Sequence, residues 1–490
     1  MNRELERLAA ACIFPGFEGP KPPDWVRKWL HEGLGGVVLF AWNVENAEQV
    51  AGMTAGLRAE RDDLLVAIDE EGGDVTRLEA ATGSSYPGNA ALGAVDDVEL
   101  TEQVAASIAA DLTEVGVNLN LAPVADVNTN PLNPVIGIRS FGADGELVAR
   151  HVAAFVRGLQ GAGVAACAKH FPGHGDTSED SHLQLPVVDA LAEEALLPFR
   201  AAVSAGVQTI MTAHIVVRSL GESPATMSRD ILHALLRQEM GFEGLVMTDA
   251  LEMRAISATI GVKEGAVQAI AAGADALCLG HDLFEGSVRS VCDALADAVR
   301  SGRLAESRLA DAAARVRRTA EWASAARLGV RVGREVGRTA ARRALHCVGD
   351  GTLSRPPLVV ELEPEPSIAA GRLPQGPGDW FRAAVPDAAG IRLEDDSVDS
   401  ALEVADGRQL VILTRDAHRH PWERKAIEAL LARSENAVVV ELGLPYWHPS
   451  GEPAYIATYG AARVNVEAAA EWLYSGSRRG VEQSGSSPGS

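Results

Sequence analysis

Aromatic residues make up only 5% of the 490-residue chain, and positive charge is outnumbered, with 44 Lys and Arg against 67 Asp and Glu. The resulting formal charge of −23 argues against nucleic acid as a partner, because phosphates call for a basic face. It argues equally against docking on an anionic membrane. No uninterrupted apolar stretch is long enough to span a bilayer. The first residues, MNRELERLAAACIFPGF, set Glu4 and Glu6 beside a short apolar run from Leu8 to Phe14, which makes a poor secretory signal. The five cysteines (Cys12, Cys167, Cys278, Cys292 and Cys347) are dispersed, odd in number and mostly placed in apolar runs. That pattern fits reduced, buried thiols rather than a disulfide framework. These features together predict a soluble, cytoplasmic protein.

At 490 residues the chain exceeds the size at which a single core keeps growing, so two domains are expected. Through the first two thirds, short apolar runs alternate with stretches of helical periodicity. The runs are Ala10 to Phe14, Gly36 to Phe40, Leu64 to Asp69, Asn118 to Val124, Ala165 to His170, Thr209 to His214, Gly244 to Asp249 and Ala274 to Leu279. Each reads as a parallel strand buried on both faces. Eight such strands alternating with helices predict a (β/α)8 TIM-like barrel over residues 1–330, with an open doubly wound sheet as the competing architecture. A basic linker helix over 331–350 then leads into a smaller α/β sandwich domain over 351–475. Its strands are read at Pro356 to Glu361, Leu410 to Thr414 and Ala437 to Leu442, with helices at Trp422 to Ala432 and Val466 to Ser475. The Gly/Ser-rich tail over 476–490 is read as disordered.

Several of the apolar runs end in a polar residue: Asp69, Lys169 with His170, His214, and Asp249. In a barrel these positions converge on the C-terminal mouth, where such folds carry their chemistry. The segment ACAKHFPGHGDTSEDSHLQLP (166–186) follows one of these strands, and its Pro and Gly residues disfavour a helix. Three readings compete for it. His170, His174 and His182 with nearby carboxylates resemble metal ligands, but the Glu of a zincin is missing and Pro-Gly prevents the helix that would align the imidazoles. The loop is otherwise a plain solvated segment, or a catalytic loop in which Asp180 tunes His182 for proton transfer.

KHFPGHGDTSEDSH resembles the signature of glycoside hydrolase family 3, in its β-N-acetylglucosaminidase branch. That resemblance implies a His–Asp acid/base dyad of His182 and Asp180, with Lys169 and His170 on sugar hydroxyls. IDEEGGDVTRL (68–78) is similar to the family's Asp-x-Glu-Gly-Gly block and implies that Asp69 and Arg77 contact substrate. LNLAPVADVNTNP followed by IRSFG implies the same for Arg139, and MTAHIVV with PATMS places His214 near the site. GLVMTDALEM sets Asp249 at the nucleophile position, with Thr248 and Ala250 where many members carry Ser and Asp. The resemblance covers about residues 8–330.

The implied activity is that of a retaining exo-β-N-acetylglucosaminidase working through a covalent glycosyl-enzyme. No cofactor or metal is expected. The implied substrates are N-acetylglucosaminides, muropeptides among them. Phosphorolysis, with inorganic phosphate as acceptor, is the nearest alternative, since an imidazole repels an incoming dianion less than a carboxylate does. A metal-dependent hydrolase and a non-catalytic sugar-binding protein are the more distant ones. From the residues alone, Asp69 is also readable as a cap on the Gly-Gly turn. Arg139 is readable as an ion-pair partner of Asp126 or Asp144, and Arg77 of Asp74 or Glu79. Asp126 reads as structural, and His174 as either a ligand contact or a loop-shaping residue.

Overall fold

The computed structural model describes residues 3–280, 284–325, 333–353, 355–363, 371, 374–405, 407–434 and 436–475. The chain divides into two compact units. One comprises Met1–Ala344, Glu365–Gln375 and Tyr459–Val464, and the other Leu345–Pro364, Gly376–Thr458 and Asn465–Ser490.

In the first unit eight short strands run parallel: β1 (Ile13–Pro15), β2 (Gly36–Leu39), β3 (Leu65–Ile68), β4 (Leu119–Asn120), β5 (Ala165–Phe171), β6 (Thr209–Thr212), β7 (Leu245–Thr248) and β8 (Leu277–Leu279). Strands β2 to β7 form one sheet in chain order. The bridge Met247↔Ala276 ties β7 to the start of β8, and β8 pairs with β1 through Ile13↔Leu277. Gly35 N, just before β2, donates to Ala10 O, near the end of the helix that leads into β1, at 3.1 Å and sets the starts of the two strands side by side. The ring therefore closes as a (β/α)8 barrel, and the open doubly wound alternative is set aside. Between consecutive strands lie the expected helices, among them Ala47–Glu60, Val98–Glu114 and Gly145–Gly161. Their starts are fixed by Asn46, Asp97 and Asp144, whose side chains accept hydrogen bonds from first-turn N–H groups that would otherwise lack partners.

The strand pleat decides which residues face the barrel axis. Phe14, Val38, Leu65, Ala67, Leu119, Cys167, Met211, Leu245, Met247 and Cys278 belong to one buried cluster, drawn from all eight strands at alternate positions. The intervening residues, such as Val37, Val66, Ala166, Val246 and Leu277, pack outward against the helices. A period of two carried past the strand ends puts Asp69, Lys169 and Asp249 on the inward rows, above Ala67, Cys167 and Met247. His214 falls on an outward row.

Some strand limits differ from the sequence expectation. Ala10 and Ala11 close the helix Arg3–Ala11, so the first strand begins only at Ile13. The fourth strand shortens to Leu119–Asn120, because Pro123 has no N–H to extend a regular ladder.

The second unit is built on a six-stranded sheet of β9 (His346–Val348), β10 (Leu358–Leu362), β11 (Ala389–Leu393), β12 (Leu410–Thr414), β13 (Val438–Glu441) and β14 (Ala454–Ala457). The spatial order is β9-β14-β13-β12-β10-β11, with only β9 antiparallel to its neighbour. Because the chain leaves β10 in one direction and then returns past it, right-handed crossovers place helices on both faces. This is the smaller α/β sandwich. The stretch read as a linker helix is a helix over Glu335–Ala344 followed by strand β9. The Gly/Ser-rich tail lies outside the described residues.

Candidate active site

At the C-terminal end of the barrel strands is a cavity of about 260 Å³, near the lower end of the size range of small-ligand sites. Asp69, Arg77, Arg139, Lys169, His170, His182 and Asp249 all line it. Its floor is an ion network. Lys169 Nζ lies 2.6 Å from both Asp69 Oδ1 and Glu71 Oε1. Arg139 grips Glu71 with both arms, Nε to Oε2 at 3.0 Å and Nη2 to Oε1 at 2.8 Å. Burial works against the Glu71 charge, yet Arg139 and Lys169 override it and hold the carboxyl well below the usual carboxylate range. Burial likewise works against the Lys169 ammonium, which Asp69 and Glu71 hold above its ordinary value. Arg77 Nη2 stands 3.9 Å from Asp69 Oδ2.

Glu71 is a residue of this floor that sequence reasoning missed. Arg139 pairs with neither Asp126 nor Asp144: Asp144 caps the helix Gly145–Gly161, and Asp126 serves His170. Replacing Glu71 by Ala would leave two buried cations short of their carboxylate, which typically costs about 3–5 kcal/mol. A Glu71→Ala variant is therefore expected to melt well below the parent protein in a thermal scan. An unchanged midpoint would show that the network adds nothing to stability.

The loop after β3 is shaped by Glu70 and two glycines. Gly72 and Gly73 adopt φ of +79° and +65°, which favours glycine, and a Cβ on Gly73 would lie 2.5 Å from Gly88 Cα. Past this turn, the N–H groups of Arg77 and Leu78 donate to Glu70 Oε2 at 2.8 and 2.9 Å, which sets the position of Arg77. Burial pushes the Glu70 carboxyl up to about 7, against the hydrogen bonds from Thr76, Leu78 and Arg77.

Lys169 and His170 are adjacent in β5, and a regular pleat would send them to opposite faces. The register against β6 shifts between Ala168 and Phe171, a bulge of the kind that re-aims side chains, and both residues line the cavity. His170 Nδ1 lies 2.7 Å from Asp126 Oδ2. The other Asp126 oxygen accepts from His174 N at 2.6 Å, so this fully buried carboxylate fixes the ring and the loop behind it.

The loop carries His182 beside Asp180, Nδ1 to Oδ1 at 2.7 Å, and His182 N donates to the same oxygen at 2.8 Å. Burial raises the Asp180 carboxyl, but the hydrogen bond and charge of His182 outweigh it and the net shift is downward. Asp180 sits behind His182 and does not itself line the cavity. His174 anchors the loop: Nε2 lies 3.0 Å from Ser181 Oγ, between the two partners, and Nδ1 lies 2.7 Å from Thr177 Oγ1. Burial lowers the His174 pKa to about 4, so this ring is neutral and shapes the loop. Gly175 allows the loop to lie flat on its support, since a Cβ there would come within 1.8 Å of Val127 O.

Asp249 directly follows β7, with Oδ1 accepting from Ala250 N at 2.8 Å. Burial acts to raise its carboxyl, and the rings of His214, His170 and His182 outweigh that and leave it below its ordinary value. His214 does not line the cavity. Fully buried on the outward row, it sits with Nε2 3.1 Å from Ala250 O and Nδ1 2.8 Å from Thr226 Oγ1. It supports the turn that carries Asp249. Among the described residues, no three His, Cys, Asp or Glu side chains are grouped as a metal would require, and no helix is long and apolar enough to cross a membrane.

Comparison with known proteins gives this geometry a context. Beta-hexosaminidase A of Pseudoalteromonas piscicida is 37% identical over 331 residues, covering 60% of this chain and 54% of that protein. The match thus spans about half the length of that relative. A beta-hexosaminidase of Stenotrophomonas maltophilia (strain R551-3) is 36% identical over 288 residues, 56% of this chain and 85% of that one. Among solved structures, a glycoside hydrolase family 3 beta-N-acetylglucosaminidase from Paenibacillus sp. str. FPU-7 superposes with a TM-score of 0.85. It is 34% identical, and the match covers 96% of both chains. Residues 5–319 match the Glycosyl hydrolase family 3 N terminal domain, and the chain belongs to that family.

Proposed function

We propose that this chain is a retaining exo-β-N-acetylglucosaminidase, with Asp249 as nucleophile and His182, held by Asp180, as acid and base. The observation that carries the proposal is the meeting of an ionised strand-end carboxylate and a carboxylate-bound imidazole in one small cavity. Breaking a glycosidic bond requires charge stabilisation at the anomeric carbon and a proton for the leaving oxygen. Asp249 would attack the anomeric carbon while imidazolium His182 protonates the leaving oxygen. Neutral His182 would then take a proton from water as it displaces Asp249. Asp180 keeps Nδ1 protonated throughout, so Nε2 is the atom that gives and receives the proton. Asp69, Arg77, Lys169, Arg139 and His170 would meet the sugar hydroxyls, and the limited cavity volume suits a single terminal sugar.

Water is the acceptor this arrangement favours. Lys169 and Arg139 are both engaged by carboxylates, and the charges of Asp69 and Glu71 oppose an incoming phosphate dianion. The substrates proposed are N-acetylglucosaminides, with cell-wall muropeptides as the natural class and the cytoplasm as the place of action. The test is release of 4-nitrophenol from its β-N-acetylglucosaminide, with and without inorganic phosphate, followed by identification of the sugar. Free N-acetylglucosamine at a rate unaffected by phosphate is expected. A sugar 1-phosphate would make the protein a phosphorylase, and no turnover in either condition would overturn the glycosidase reading.

A further inference from the structure

Side-chain exposure orders the cavity from floor to rim. Lys169 and Glu71, on the floor, are each 2% exposed, while His182 keeps 28% of its surface. A second rim residue, Trp42, lines the same cavity and is 40% exposed in a chain short of aromatics. A large apolar ring on the wall of a polar site is a surface that a ligand ring can cover with a gain in buried apolar area.

Trp42 is also held in place. It sits in the short 3-10 turn Ala41–Asn43 that follows β2. Its Nε1 donates to Phe17 O at 3.0 Å. One face of the indole stacks on Phe40, with centroids 4.7 Å apart and planes inclined by 15°. Asn43 locks the turn, accepting from Phe40 N at 2.8 Å and donating to Phe17 O and Gly19 O at 2.8 and 2.7 Å. The indole is therefore presented at little further entropic cost on binding.

Resting on the glycosidase reading above, we infer that Trp42 is the platform for the leaving-group sugar, a pyranose ring whose C–H face lies along the indole. The floor network meets the hydroxyls of the sugar that is attacked. The group on the far side of the scissile oxygen lies toward the rim, where His182 must reach that oxygen. A planar, fixed aromatic surface there matches the flat C–H face of a pyranose, and a flexible chain would gain less from it. Trp42 is thus a specificity-determining residue that acts on the bond cleaved rather than on the sugar retained.

The experiment compares two substrates in wild type, Trp42→Ala and Trp42→Phe. One is N,N′-diacetylchitobiose, whose leaving group is a sugar, and the other is β-N-acetylglucosaminyl azide, whose leaving group carries no ring. Trp42→Ala is expected to lower kcat/KM about ten-fold for the disaccharide and by less than about two-fold for the azide, the scale of one aromatic contact. Trp42→Phe should retain most of the disaccharide activity. Equal losses on both substrates, or an unchanged disaccharide rate in Trp42→Ala, would overturn the platform while leaving the glycosidase reading intact. A wild-type protein inactive on both would overturn that reading, and the platform with it.

Discussion

An Asp249→Gly variant is expected to lose roughly five to six orders of magnitude in kcat on 4-nitrophenyl β-N-acetylglucosaminide, the scale seen when a covalent nucleophile is removed. Glycine leaves a gap where the carboxylate stood, open to the anomeric carbon. Added azide should then enter from that side, forming a C1–N bond as the C1–O bond to nitrophenolate breaks, and give the α-glycosyl azide. The pH dependence of the parent enzyme tests the same residue. The Asp249 carboxyl is held below its ordinary value, so it remains ionised until the pH falls through that lowered point. Activity governed by the nucleophile should accordingly persist down to about pH 4, the ordinary carboxylate value, and decline only below it. A glycine variant with more than about a hundredth of parental activity would remove Asp249 from the nucleophile role. So would an acid limb centred well above pH 4.

The same carboxylate shows how much of the site was legible. Asp249 ends an apolar run, and the pleat carries it onto the inward row above Leu245 and Met247. The parity rule applies equally to Asp69, after Leu65 and Ala67, and to Lys169, after Ala165 and Cys167. It also separates out His214, which ends its strand just as polar but on the row facing the helices. Glu71 shares the parity of Asp69, and that was the signal available for it. Its role was not legible because its partners are Arg139, 68 residues away, and Lys169, two strands further round the barrel. Local spacing cannot encode pairs that only the pairing of β3, β4 and β5 in one sheet brings together. Nor does sequence reveal the bulge in β5 that turns Lys169 and His170 to one side. In the second unit, the strands read correctly are continuous apolar runs such as LVILT at β12. Edge strand β11, AGIRL, exposes alternate residues and carries Gly390 and Arg392, so its pattern does not stand out from a loop.

Removing the imidazole should affect the two halves of the reaction differently. His182→Ala is expected to lower kcat/KM for N,N′-diacetylchitobiose by about 10²–10⁴-fold, the usual worth of a positioned general acid. A sugar alkoxide cannot depart without its proton. 4-Nitrophenolate needs little protonation, so kcat/KM for the nitrophenyl substrate should fall far less. Its kcat should still drop, because water must be deprotonated to release Asp249, and a burst of nitrophenol should precede a slow steady state. Azide, which needs no base, should relieve that slow step and give the β-glycosyl azide, since it displaces Asp249 from the face the leaving group vacated. Opposite anomers from the two azide-rescued variants would assign the nucleophile and the acid/base independently of any rate. Asp180→Asn should follow His182→Ala in direction with a smaller loss, because the ring remains but its tautomer is no longer fixed by the 2.7 Å contact at Nδ1. If His182→Ala lowered kcat/KM equally for both leaving groups, the imidazole would be a positioning group, and the proton would have to come from elsewhere in the cavity.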